Sequence, residues 1–78
     1  MMSNVNAMKA RMLQILLSTI DTELKEVEGD ISNNKVWASG SDTHEEEMMF
    51  DDNIADLKEY KAVLLSLREQ LVEGELNV

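Results

Sequence analysis

Leu13, Leu16, Ile20, Leu24, Val27 and Ile31 recur at steps of three and four residues. At roughly 100° per residue, such steps place all six on one stripe of an α-helix. Ser3 and Asn4 precede the stripe and are good N-caps, so the pattern predicts a first helix over about residues 4–33. Gly29 lies near its end, either as a C-cap or tolerated inside the last turns. After Ile31 the apolar rhythm stops. Residues 34–42 follow Asn33-Asn34, contain Ser39-Gly40-Ser41, and read as a connecting loop that carries Trp37.

A second helix is predicted over about residues 43–73. Thr43 with Glu46, and Asp42 with Glu45, have the spacing of a capping box, and Glu45, Glu46 and Glu47 sit where a helix dipole favours carboxylates. Phe50, Asn53, Leu57, Tyr60, Leu64, Leu67 and Leu71 then form a heptad-like seam with one polar member. Asn53 either fixes the register, as a buried Asn does in coiled coils, or rests at the edge of the seam. Two long helices joined by a short loop pack antiparallel. Aligning the stripes puts Ile31 near Glu46, Ile20 near Leu57 and Leu13 near Leu64. The expected fold is all-α, an antiparallel two-helix hairpin.

A lone hairpin has nowhere to put its remaining apolar residues. Val5, Met8, Met12 and Ile15 make a second apolar face on the first helix, and its continuation, Thr19, Thr22 and Glu26, is polar. On the second helix Ala62, Leu65, Val72 and Leu76 lie outside the seam. Left wet, these faces would form a patch larger than soluble monomers usually expose. The expectation is a homo-oligomeric helical bundle with Val5, Met8, Met12, Ile15, Leu65 and Val72 at its interface.

Composition strengthens this. A chain of 78 residues makes one domain at most and buries little core. It contains no cysteine, so neither a disulfide nor a Cys-based zinc site can staple it, and association with copies of itself is the remaining staple. Lys9 and Arg11 before Met12-Leu13 faintly resemble the start of a signal peptide, but Gln14 interrupts the run and Asp21-Thr22-Glu23 follows it. With no apolar run of membrane-spanning length, the expected location is cytoplasmic.

The formal net charge of −9 repels duplex DNA and anionic membranes. It is unevenly spread. Residues 1–20 hold Lys9 and Arg11 and no acid, whereas residues 21–30 and 42–59 are rich in Asp and Glu.

Little in the chain suggests catalysis: there is one histidine, no cysteine nucleophile and no glycine-rich phosphate loop. His44, Glu47 and Asp51 share one side of the second helix, but the di-iron bundle motif is Glu-x-x-His and here the order is reversed and occurs once. Glu23 and Glu26 with Asp56 and Glu59 loosely match the outline of magnesium-binding all-α pyrophosphohydrolases, a pattern common on any solvated helix face. The expectation is no enzyme, no cofactor and no metal.

Binding is the better-supported class. Lys9, Arg11, Lys61 and Arg68 fall on one half of the hairpin and would form an anion pocket if symmetry gathers them, with Trp37 or Tyr60 stacking on a base. The plainer alternatives are surface salt bridges for the cations, a core plug for Trp37 and a seam position for Tyr60. The acidic set Glu45, Glu46, Glu47, Asp51, Asp52 and Asp56 is either a solvated face or a phosphate-backbone mimic.

Trp37-Ala38-Ser39-Gly40-Ser41-Asp42, then His44-Glu45-Glu46-Glu47, then the leucine seam, in a cysteine-free acidic hairpin, resemble small proteins of bacterial viruses. In particular the chain looks like the oligomeric helical nucleotide sponges used against cyclic-nucleotide defence systems (anti-CBASS proteins). The likeness is one of size and architecture over most of the chain, and no functional residue is carried over from it. It implies a protein that holds a cyclic nucleotide signal between protomers without cleaving it. The leading expectation is therefore a non-catalytic homo-oligomer that sequesters an anionic nucleotide at protomer junctions. The alternatives are an acidic inhibitor that binds a host protein, as a DNA mimic or helix-face adaptor, and a structural assembly component.

Overall fold

A computed structural model describes residues 2–76, with side chains for 4–74. Helix α1 spans Met2–Ser39 and helix α2 spans His44–Leu76. They lie antiparallel in a rod of 64 × 17 × 11 Å. A 38-residue helix is roughly 57 Å long at 1.5 Å per residue, so α1 runs nearly the length of the molecule. The described residues are all-helical apart from the turn, with no strand. None of the helices is long and apolar enough to cross a membrane.

The first correction concerns the connection. The stretch expected to be a loop from residue 34 is helical to Ser39, and the turn is confined to residues 40–43. The apolar period does not stop at Ile31; it passes through Asn34 and Ala38, a polar and a small residue that disguise it. Asn34 is only 7% exposed. Its Nδ2 donates to the carbonyl oxygen of Asp30 at 2.7 Å and its Oδ1 accepts from Asn53 Nδ2 at 3.3 Å. Gly29 lies within α1 with open space around it, so it is an internal glycine and not a cap.

The turn satisfies the backbone groups that helix ends leave over. The Gly40 N–H donates to Val36 O at 3.1 Å, and the Ser39 and Ser41 hydroxyls donate to Val36 O and Trp37 O at 2.9 and 2.8 Å. At the start of α2, Thr43 Oγ1 accepts from the Glu46 N–H at 3.1 Å, the N-cap bond that the Thr43/Glu46 spacing predicts.

Because the turn is short, the two helices also align differently from the expectation. Asp21 faces Arg68, Glu28 faces Lys61, and Asn34 faces Asn53. This is a slip of about three helical turns from the expected pairing of Ile20 with Leu57. The core is thin: Val27 (3% exposed), Ile31 and Leu64 (5%) are buried, with Ile20, Leu24, Ile54 and Leu57 packed around them.

The seam itself is shifted by one residue in places. On α1, Leu17 is half-buried while Leu16, expected in the stripe, is exposed. On α2, Asn53, Tyr60 and Leu67 are exposed, and the inward positions belong to Phe50, Ile54, Leu57, Lys61, Leu64 and Leu71, with Arg68 exposed at the edge where it meets Asp21. Long basic side chains suit such positions because the stem can lie along the apolar surface while the charge reaches outward. Lys61 Nζ lies 3.5 Å from Glu28 Oε1, and Arg68 Nε donates to Asp21 Oδ1 at 2.9 Å.

Candidate functional site

At the end away from the turn, two grooves lie side by side. The first runs between the helices, has a volume of about 480 Å³, and is lined by Asn6, Lys9, Ala10, Leu13, Gln70, Leu71 and Gly74. Ala10 and Gly74 are small, which leaves the room: a Cβ on Gly74 would meet nothing within 4 Å. Its floor is apolar, with one ammonium and two carboxamides supplied by Lys9, Asn6 and Gln70. The second groove, of about 370 Å³, is lined by Val5, Met8, Lys9, Met12, Leu13 and Leu16. Lys9 and Leu13 belong to both. Met8 is 65% exposed, and Val5, Met12 and Ile15 are each about half exposed.

The expected interface residues divide between the two sides of the hairpin. Val5, Met8, Met12 and Ile15 lie at helical spacing on the flank of Leu16 and Glu23. Tyr60 bonds to Glu23, which places Tyr60, and Leu67 one heptad on, along the same flank. Leu65 and Val72 lie within four residues of Arg68 on the opposite edge, that of Asp21, where Leu65 is exposed and Val72 half-buried. Leu76 lies outside the residues whose side chains are described.

The four candidate cations are not gathered within one chain. Arg68 and Lys61 are engaged by Asp21 and Glu28, with both partners of each pair a third or more exposed, so the pairs are open to solvent screening. Lys9 lies roughly 18 Å along α1 from Asp21 at the helical rise. Arg11, two residues on and thus roughly 200° around the helix, turns away from both grooves. Neither Lys9 nor Arg11 is in an ion pair among the described residues.

The two candidate aromatics also sit apart from Lys9. Tyr60 is an exposed side chain whose hydroxyl donates to Glu23 Oε2 at 3.2 Å, which corrects its expected seam position. That bond to Glu23, then partial burial and the charges of Glu23 and Glu26, raise its pKa above the ordinary 10.0. Trp37 stands in the last turn of α1, not in a loop, and is 53% exposed. Its ring centroid is 5.9 Å from that of Phe50 at a tilt of 49°, so one side of the indole packs on the end of the seam while much of the rest stays wet.

One turn inward from this aromatic pair, a third groove of about 280 Å³ is lined by Asp30, Asn34, Asn53, Asp56 and Leu57. Spacing alone does not mark Asn34 and Asp30 as site residues, because Asp30 falls at the expected end of the first helix and Asn34 in the expected loop. The available signal was the heptad step from Val27 to Asn34. His44, Glu47 and Asp51 do not belong to any group of three or more potential metal ligands among the described residues. Comparison of the chain with protein-family models, curated proteins and solved structures finds no match.

Proposed function

We propose that this chain is a non-catalytic protomer of a homo-oligomeric helical bundle, and that the bundle holds a small anionic ligand of the nucleotide-signal class at its protomer junctions. The observation that carries this reading is the sharing of Lys9 and Leu13 by the two terminal grooves. A second copy laid over Val5, Met8, Met12 and Leu16 would become a wall of the groove between the helices. Each large apolar side chain covered in this way contributes about 1.5–3 kcal/mol, which a hairpin with only three buried apolar residues among those described needs.

The ligand class rests on three supports. Lys9, free of any ion pair among the described residues, sits beside two carboxamides, a donor set suited to phosphate oxygens. The groove's volume is in the range of small-molecule sites and its floor is apolar, as a base requires. The architecture resembles that of viral nucleotide sponges, so the role proposed is counter-defence in the cytoplasm of an infected bacterium. Lys61, Arg68, Trp37 and Tyr60 lie away from this groove and are not needed for it.

Native mass spectrometry of the purified protein, together with thermal melts against a panel of cyclic di- and trinucleotides, tests both halves. The expected result is a dimer or higher assembly at micromolar concentration, a melting temperature raised by at least one nucleotide, and loss of that rise in Lys9→Glu. A monomeric mass removes the walls of the site. An assembled protein whose melting temperature no nucleotide moves leaves the assembly standing and rejects the ligand.

A further inference from the structure

The terminal end does not use the groove at the opposite half of the rod, between Asp30, Asn34, Asn53 and Asp56. Asp30 comes from α1 and Asp56 from α2, both are exposed, and neither is in an ion pair among the described residues. The floor adds an acceptor to the two carboxylates. One N–H of Asn34 Nδ2 is engaged by the backbone of its own helix and one of Asn53 Nδ2 by Asn34 Oδ1, while Asn53 Oδ1 has no hydrogen-bond partner among the described residues. Two carboxylates beside this amide oxygen suit a donor-rich cation. Arginine and lysine are the side chains of that kind.

The surroundings point the same way. Trp37 is one turn from Asn34 and Phe50 one turn from Asn53, so the aromatic pair lies next to the groove on its turn side, outside its lining. An exposed indole there can stack on a guanidinium or cover an apolar side chain. Glu45, Glu46, Glu47, Asp51 and Asp52 add negative charge around this end, with Lys35 the one Lys or Arg between Ile31 and Leu57. That field attracts a basic partner and repels both a nucleotide and the acidic turn end of another copy.

We infer that the acidic groove of Asp30, Asn34, Asn53 and Asp56, with Trp37 and Phe50 one turn beyond it, is a docking site for an arginine- or lysine-bearing helix of a protein partner. The groove lies along the hairpin between its two helices, so an incoming helix would insert one basic side chain between the carboxylates and lay an apolar neighbour on the indole. This site is separate from the proposed nucleotide groove and stands or falls independently of it.

Trp37 is the only tryptophan, so its emission reports on this site in the full chain. The probe is a synthetic amphipathic helical peptide with arginines on one face and leucines on the other. Saturable blue-shifted emission with a micromolar Kd is expected. Asp30→Asn with Asp56→Asn should weaken binding roughly tenfold, whereas Glu45→Gln with Glu46→Gln and Glu47→Gln should weaken it less than about threefold. Trp37→Ala, read by anisotropy of labelled peptide, should lose affinity, and Trp37→Phe should keep most of it; circular dichroism of each variant reports the helix content. If the groove pair and the glutamate triple weaken binding equally, the effect is a general field and the docking site is wrong. An unchanged affinity in the groove pair also overturns it. So does a Trp37 shift that appears with protein concentration alone and tracks a rise in mass, because the occupant is then a second copy.

Discussion

At the terminal end, α1 presents Val5, Met8, Met12 and Ile15 on a segment whose charges before Asp21 are Lys9 and Arg11. At the turn end, Trp37, Met48 and Met49 are about as exposed, but they sit among Glu45, Glu46, Glu47, Asp51 and Asp52. The same two helices thus expose similar apolar area in two different electrostatic settings. Identical copies pressed together at the first kind of surface bring only the Lys9 and Arg11 of α1 near their own kind. Pressing the second kind together would crowd carboxylates, so that surface suits the proposed partner of opposite sign. The lesson is that exposed apolar area signals association, while the charge around it indicates whether the partner is self or other.

Introducing charge into each surface breaks or sharpens this contrast most directly. Met8→Glu with Met12→Glu should raise the dissociation constant of the proposed assembly by at least about a thousandfold, since each side chain it would bury is worth about 1.5–3 kcal/mol. Sedimentation would then report a monomer mass, while Met48→Glu with Met49→Glu should leave the mass unchanged. Equal behaviour of the two pairs would erase the distinction between the ends.

The middle of the rod supplies the next largest effect. Leu64→Ala should lower stability by about 2–5 kcal/mol in urea titrations, because Leu64 is one of three buried apolar side chains among the described residues. Leu67→Ala, one turn on and 45% exposed, should cost less than about 1 kcal/mol. A reversal of that order would restore the seam read from spacing alone. Gly29→Ala should gain about 1 kcal/mol, since the site is helical and open, and raise the melting temperature by roughly 4–8 °C.

The exposed cross-helix contacts should matter least. Arg68→Ala and Lys61→Ala should each cost under about 1 kcal/mol, and less as salt screens the pairs. Tyr60 should titrate in ultraviolet absorbance above its ordinary value, and Glu23→Gln should bring it back toward 10.0. The raised folded-state value means that the phenol's bond to Glu23 contributes fully below the unfolded pKa. That contribution is lost as pH rises through the folded one, so any effect on stability appears only in strong alkali.

Local pattern was sufficient for the two helices, their hairpin arrangement, the Thr43 cap and the uncovered methionine face, because each depends on residues within a few turns of one another. The end of α1 and the helix alignment were hidden by one residue. Asn34 is polar in a sequence and buried in the fold, and only its bond to Asn53 on the other helix makes that position part of the seam. The α2 seam was ambiguous for a related reason. Steps of three and four fit both Asn53–Tyr60–Leu67 and Ile54–Lys61–Arg68, and a single helix does not distinguish the stripes. Both stripes meet α1, and burial separates them only at Ile54 and Lys61, which are half-buried where Asn53 and Tyr60 are exposed. A helix's own period says which residues can share a face; packing against the opposing helix decides which of them turn inward.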